Sequence, residues 1–148
     1  MSTALNHLTL VYSCSGCSSA AQLANHLAVR LDRLGHAEMS CIAGIGGQVP
    51  SLVRKVIEAS EQKRPILAID GCALACVRST LALHGVTPTE HVQLGALGVR
   101  KVYHGDFSEE QASDLLGEIT KRVQLMNAQS PANNAQGAEA ALATTTTP

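Results

Sequence analysis

Pro65-Ile66-Leu67-Ala68-Ile69-Asp70-Gly71-Cys72 is the stretch on which the fold turns. Four consecutive apolar residues, opened by proline and closed by an Asp-Gly turn, read as a short strand buried on both faces. After the turn, Leu74, Val77 and Leu81 recur at helical spacing until Gly85. Before it, Val49, Leu52, Val53, Val56 and Ile57 mark one face of another helix. Further upstream lies a second apolar run, Ala37 to Ala43, broken by Gly44-Ile45-Gly46-Gly47. A longer helix precedes it, with Leu23, Leu27, Leu31 and Leu34 as its stripe and Gly35 as its stop. The first strand is Leu8-Thr9-Leu10-Val11-Tyr12. Strand and helix thus alternate three times, the order of a parallel sheet with helices on its faces.

Downstream, His91 to Leu94 reads as a fourth strand and Lys101 to His104 as another short one. Ser108-Glu109-Glu110-Gln111 has the serine cap and early carboxylates of a helix start, followed by Ala112, Leu115, Leu116, Ile119 and Val123. From Ala128 the chain turns to Ala, Asn, Gln and Thr, and its composition predicts a disordered low-complexity tail over 128–148. The expectation is a single α/β domain over 1–127, a three-layer sandwich with a mainly parallel sheet of about four strands and helices on both faces.

The 148 residues suffice for one core. Tyr12, Tyr103 and Phe107 are the whole aromatic complement, so Leu, Ile, Val and Ala must build that core. A base-stacking surface is thereby excluded. With a net charge of -1 and basic residues scattered in pairs, no nucleic-acid or membrane partner is predicted. A protein partner is left unspecified. Met1 to Ser13 holds neither Lys nor Arg and too short an apolar run for a secretory signal. The expected compartment is the cytoplasm, where thiols stay reduced, so five cysteines point to metal or redox chemistry.

Every cysteine falls at a strand-to-helix junction. Cys14 and Cys17 follow the first strand, Cys41 the second, and Cys72 and Cys76 the third. In a parallel sheet these junctions share the edge where open α/β sheets bind ligands. Cys14-Ser15-Gly16-Cys17 lets two thiolates face one ion, and Cys72 and Cys76, four apart at a helix start, should project from one face. Helix N-termini favour the thiolate form that ligates. Zinc takes four thiolates, so the candidate ligands Cys14, Cys17, Cys41, Cys72 and Cys76 exceed its needs by one. An iron–sulfur cluster also accepts four. The competing readings are small buried hydrophobes and a dithiol redox site, in which Cys17 attacks or relays.

Tyr12-Ser13-Cys14-Ser15-Gly16, Gln22-Leu23-Ala24, Met39-Ser40-Cys41-Ile42-Ala43-Gly44-Ile45-Gly46 and Ile69-Asp70-Gly71-Cys72-Ala73-Leu74-Ala75-Cys76 resemble the DGC-domain family of zinc-binding bacterial proteins. The likeness runs from Leu8 to Lys101. It implies four chelating cysteines, here Cys14, Cys41, Cys72 and Cys76, with Cys17 an additional thiol. Ala73 stands where the family pattern has proline at the first helical turn.

Asp70 is expected to cap the third helix behind the ligands, with Gly71 relaxing the turn. Gly44, Gly46 and Gly47 are not a dinucleotide fingerprint, and the Ser13 to Ser19 loop lacks the Lys or Arg of phosphoryl chemistry. His26, His36, His84, His91 and His7 read as solvated or loop residues. His104, Tyr103 and Lys101 share the one later loop able to reach the cysteine edge.

Overall fold

Strand β1 (Thr9–Ser13) and strand β3 (Ile66–Asp70) are buried along their whole length and pair directly with each other. Both are continuous apolar runs because helices cover both faces. In the computed structural model, which describes residues 5–143, strand β2 (Ala37–Met39) and strand β4 (Glu90–Gln93) flank them in the order β2-β1-β3-β4. All pairings are parallel, with Val11 opposite Met39 and Leu67, and Asp70 opposite Gln93.

Helix α1 (Ser19–Arg33) joins β1 to β2, helices α2 (Ile42–Gly46) and α3 (Pro50–Glu61) join β2 to β3, and α4 (Cys76–Ala82) joins β3 to β4. Helix α5 (Glu109–Ala128) returns beside α1. Alternate strand residues sort the core into two layers. Val11, Leu67 and Ile69 pack with Leu23, Leu27 and Leu31 of α1 and Leu115, Ile119 and Val123 of α5. Leu10, Tyr12, Ile66 and Ala68 pack with Ile45, Val56, Val77 and Leu81 of the other three helices. Each fully buried Leu or Ile contributes about 1.5–3 kcal/mol. The three-layer α/β sandwich expected from the sequence is the fold observed.

Local chemistry sets the boundaries. Ser18 caps α1 by accepting from the Ala21 N–H, and Ser108 caps α5 by accepting from Gln111. Gly35, at φ +76°, takes the left-handed turn that ends α1.

Four expectations require correction. The second apolar run is strand only to Met39; Cys41 caps α2, and Ile42–Gly46 is helical. The third-strand turn is longer than expected, so α4 begins at Cys76; Leu74 lies in the turn, 70% exposed, and Cys72 lies outside the helix. Lys101 to His104 is no strand, and its one ladder contact is an isolated bridge between Ser18 and Tyr103. Within the tail expected to be disordered, Pro131–Ala143 forms helix α6. Its alanine content favours helix, and Asn133 Nδ2 donates to the His7 and Asn127 carbonyls, tying it to the domain. Residues 144–148 lie outside the described part. Among the described residues no helix is long and apolar enough to cross a membrane.

Candidate thiol site at the sheet edge

After β1 the chain leaves toward one face of the sheet, and after β3 toward the other. The gap between those two strand ends is the switch point at which such sheets bind ligands. Cys14 sits there, half-buried, in contact with both core layers. The Gly71 N–H crosses the gap and donates to Cys14 Sγ at 3.2 Å. Only glycine permits this approach, since a Cβ at position 71 would stand 2.5 Å from the Ala20 carbonyl oxygen. Gly71 therefore packs the β3 turn against the first turn of α1, a tighter constraint than the relaxed turn expected.

Asp70 is 1% exposed and caps α4 as expected, accepting from the Val77 N–H at 2.8 Å and the Arg78 N–H at 3.3 Å. Its Oδ2 also lies 2.8 Å from His91 Nε2 on β4. This pair fixes the Gly71-to-Ala75 turn from below, with Ala75 held at φ +50°.

The sulfurs differ in setting. Burial pushes the Cys14 thiol up, the Gly71 N–H pulls it down, and negative charge at Asp70, Cys76 and Cys72 adds to the rise. Cys14, Cys72 and Cys76 thus share one electrostatic field. Burial outweighs the lowering expected from helix ends at Cys14. Cys41, exposed, accepts from the Gly44 N–H at 3.4 Å. Cys17 is exposed in the turn leading to the Ser18 cap. Cys76 is exposed at the first position of α4. Cys72 is half-buried, and Lys101 Nζ donates to its sulfur at 3.4 Å.

All five thiols therefore lie past the C-terminal ends of three parallel strands. Among the described residues, however, no three His, Cys, Asp or Glu side chains stand close enough together to hold an ion. The donor set fits a thiophilic ion in chemistry and in its place on the rim, while the side chains stand apart rather than converged. Two buried hydroxyls at the same end of β1, Tyr12 Oη and Ser13 Oγ, make no hydrogen bond of normal geometry. Burial pushes the Tyr12 phenol up to about 12, partly offset by Ser40.

Residues 10–119 match the DGC domain. The chain belongs to the DGC domain family. The chain is similar to the anaerobic and virulence modulator AnvM of Pseudomonas aeruginosa, 54% identical over 114 residues, or 77% of this chain and 84% of the relative. No solved structure matches the chain.

His91 was missed by sequence reasoning as part of this site, whereas Lys101 was placed in the loop able to reach it without its contact to Cys72 being foreseen. His91 read as a solvated residue at the start of the fourth strand, because nothing local to it signals its pairing with Asp70 across the sheet. Lys101 reaches Cys72 through contacts that local periodicity does not encode.

Proposed function

We propose that this DGC-domain protein is a metal-binding module whose rim cysteines hold zinc for storage, sensing or delivery. The observation that carries the reading is the placement of Cys14, Cys41, Cys72 and Cys76 beyond three parallel strand ends, around a switch point roofed by the Gly71 N–H. These four are the proposed ligands, and the exposed Cys17 is the spare. Convergence requires the Cys41 and Cys76 side chains, both exposed, to turn toward the half-buried Cys14 and Cys72. Zinc would supply the charge that keeps four thiolates together. Gly71, Asp70 and His91 hold the turn that presents Cys72 and Cys76. A four-thiolate ion has no place left for water, which disfavours hydrolysis.

The relative's name speaks of anaerobic modulation. A sulfur-ligated ion suits such a role here, because oxidation of thiolates releases the metal they hold. The second reading is a thiol redox or sulfur-transfer enzyme, with an iron–sulfur centre as the alternative to zinc, and the exposure of Cys17 favours it as the attacking thiol.

Elemental analysis of protein purified without added metal tests the proposal. One zinc per chain, lost in Cys14→Ser and Cys72→Ser and kept in Cys17→Ser, is the expected result. Visible absorption with bound iron would transfer the site to a cluster. Loss of metal in Cys17→Ser would overturn the ligand choice, and absence of metal in protein kept reduced throughout would overturn the proposal.

A further inference from the structure

The segment from Arg100 to Tyr103 has no regular structure, yet it is fixed at both sides of Lys101 by one hydroxyl. Ser19 Oγ donates to the Arg100 carbonyl at 3.3 Å and accepts from the Val102 N–H at 2.9 Å. The Ser19 N–H donates to the Val102 carbonyl at 2.8 Å, and Ser18 bridges to Tyr103. Ser19 is 2% exposed and opens α1 two residues after Cys17, so the strap is fastened to the same rim that carries the thiols. Lys101, between the two clamped peptide groups, brings Nζ to 3.4 Å from Cys72 Sγ and 5.0 Å from the Tyr103 ring centre.

We propose that Lys101 is the fixed counter-charge of the rim, held over Cys72 by Ser19, and that it selects anionic ligands and reagents for that sulfur. A rim that gathers thiolates accumulates negative charge, and an anionic small molecule, such as a carboxylate-bearing thiol or a metal carried on a carboxylate chelator, would otherwise be repelled. Asp70, the nearby carboxylate, is already engaged by His91 and two backbone N–H groups. Lys101 makes the contact to Cys72 directly. Cys72, rather than the more exposed Cys17, is then the sulfur that meets an anionic partner first. This rests on the rim as the functional site, and not on which ion it holds.

The test uses metal-free, reduced full-length protein at one pH, alkylated with iodoacetate or with iodoacetamide. In each reaction the thiolate displaces iodide and forms one S–C bond, so the ratio of the two rates at one cysteine cancels thiol ionisation and reads the local charge. Peptide mass spectrometry gives the ratio for each cysteine. The ratio at Cys72 should fall about threefold to tenfold in Lys101→Met, stay near wild type in Lys101→Arg, and fall in Ser19→Ala as the strap loosens. Added salt should shrink the wild-type ratio toward that of Lys101→Met. An unchanged ratio in Lys101→Met, or an equal fall at Cys17 and Cys41, would overturn the inference. Zinc content separates it from the metal proposal. A wild type that holds no zinc but shows the Lys101 effect supports this inference and removes the metal. A zinc-binding wild type without the charge effect does the reverse.

Discussion

The two ends of the same sheet are built on opposite terms. At the N-terminal end, most polar groups are matched, the buried Ser130 hydroxyl being an exception. The Arg64 guanidinium, 7% exposed, donates to the Leu8 and Leu5 carbonyls and to Glu38, which Lys55 also bonds. Asn127 accepts from both the Thr9 N–H and hydroxyl and donates to the His36 carbonyl, while Thr89 receives the Ile66 N–H. At the C-terminal end, five free thiols line the rim with the Ser13 hydroxyl, which has no hydrogen-bond partner, and a lysine aimed at sulfur. Matched polar groups hold the strands in register. On the proposed reading, the first end serves stability and the second carries the chemistry.

That division can be broken by substitutions. The largest effect is expected for Arg64→Met, which leaves the Leu5 and Leu8 carbonyls without their donor and Glu38 with Lys55 alone; chemical denaturation should show a loss of about 3 kcal/mol. Thiol reactivity of the folded fraction should not change. Gly71→Ala is the exception that sharpens the comparison, because it places a Cβ against the Ala20 backbone at the thiol end. It should destabilise by about 1–3 kcal/mol and alter Cys14 reactivity as well. Asn127→Ala strands two donors and a carbonyl, with an expected loss of about 2 kcal/mol and no effect on metal content.

The pH dependence has a defined sign. Burial pushes the Glu38 carboxyl up, but hydrogen bonds from Lys55 and Arg64, with their charges, outweigh it and hold the group below its usual value. Its stabilisation is therefore full above the unfolded carboxylate value of about 4.3 and is lost as pH falls through the lower folded value. Glu38→Gln should flatten the acid limb of the stability profile. The smallest effect is expected at the exposed thiols: Cys17→Ser and Cys76→Ser should shift metal-free stability by less than about 0.5 kcal/mol. A larger loss at either would mean the rim is structural.

The sheet was legible because β1 and β3 are continuous apolar runs, and the cysteine rim was legible because parallel strands share a direction. Shorter pieces depend on competition that periodicity does not express. Asp70 takes the Val77 and Arg78 N–H groups, which starts α4 at Cys76 and leaves Leu74 outside, although its spacing to Val77 and Leu81 looked inward. The Cys41 sulfur accepts from Gly44 and starts a helix where the apolar run suggested strand. Lys101 reached the rim through Ser19, which bonds its neighbour Arg100, 81 residues away in sequence, a contact that only the folded chain makes.

The most direct test of the thiol end is titration of the reduced, metal-free protein with cobalt(II), followed by its absorption spectrum. The account predicts saturation at one equivalent with intense sulfur-to-cobalt charge-transfer bands, displaced by zinc and abolished in Cys14→Ser. Binding without charge-transfer absorption, or with bands unchanged in Cys14→Ser, would contradict it.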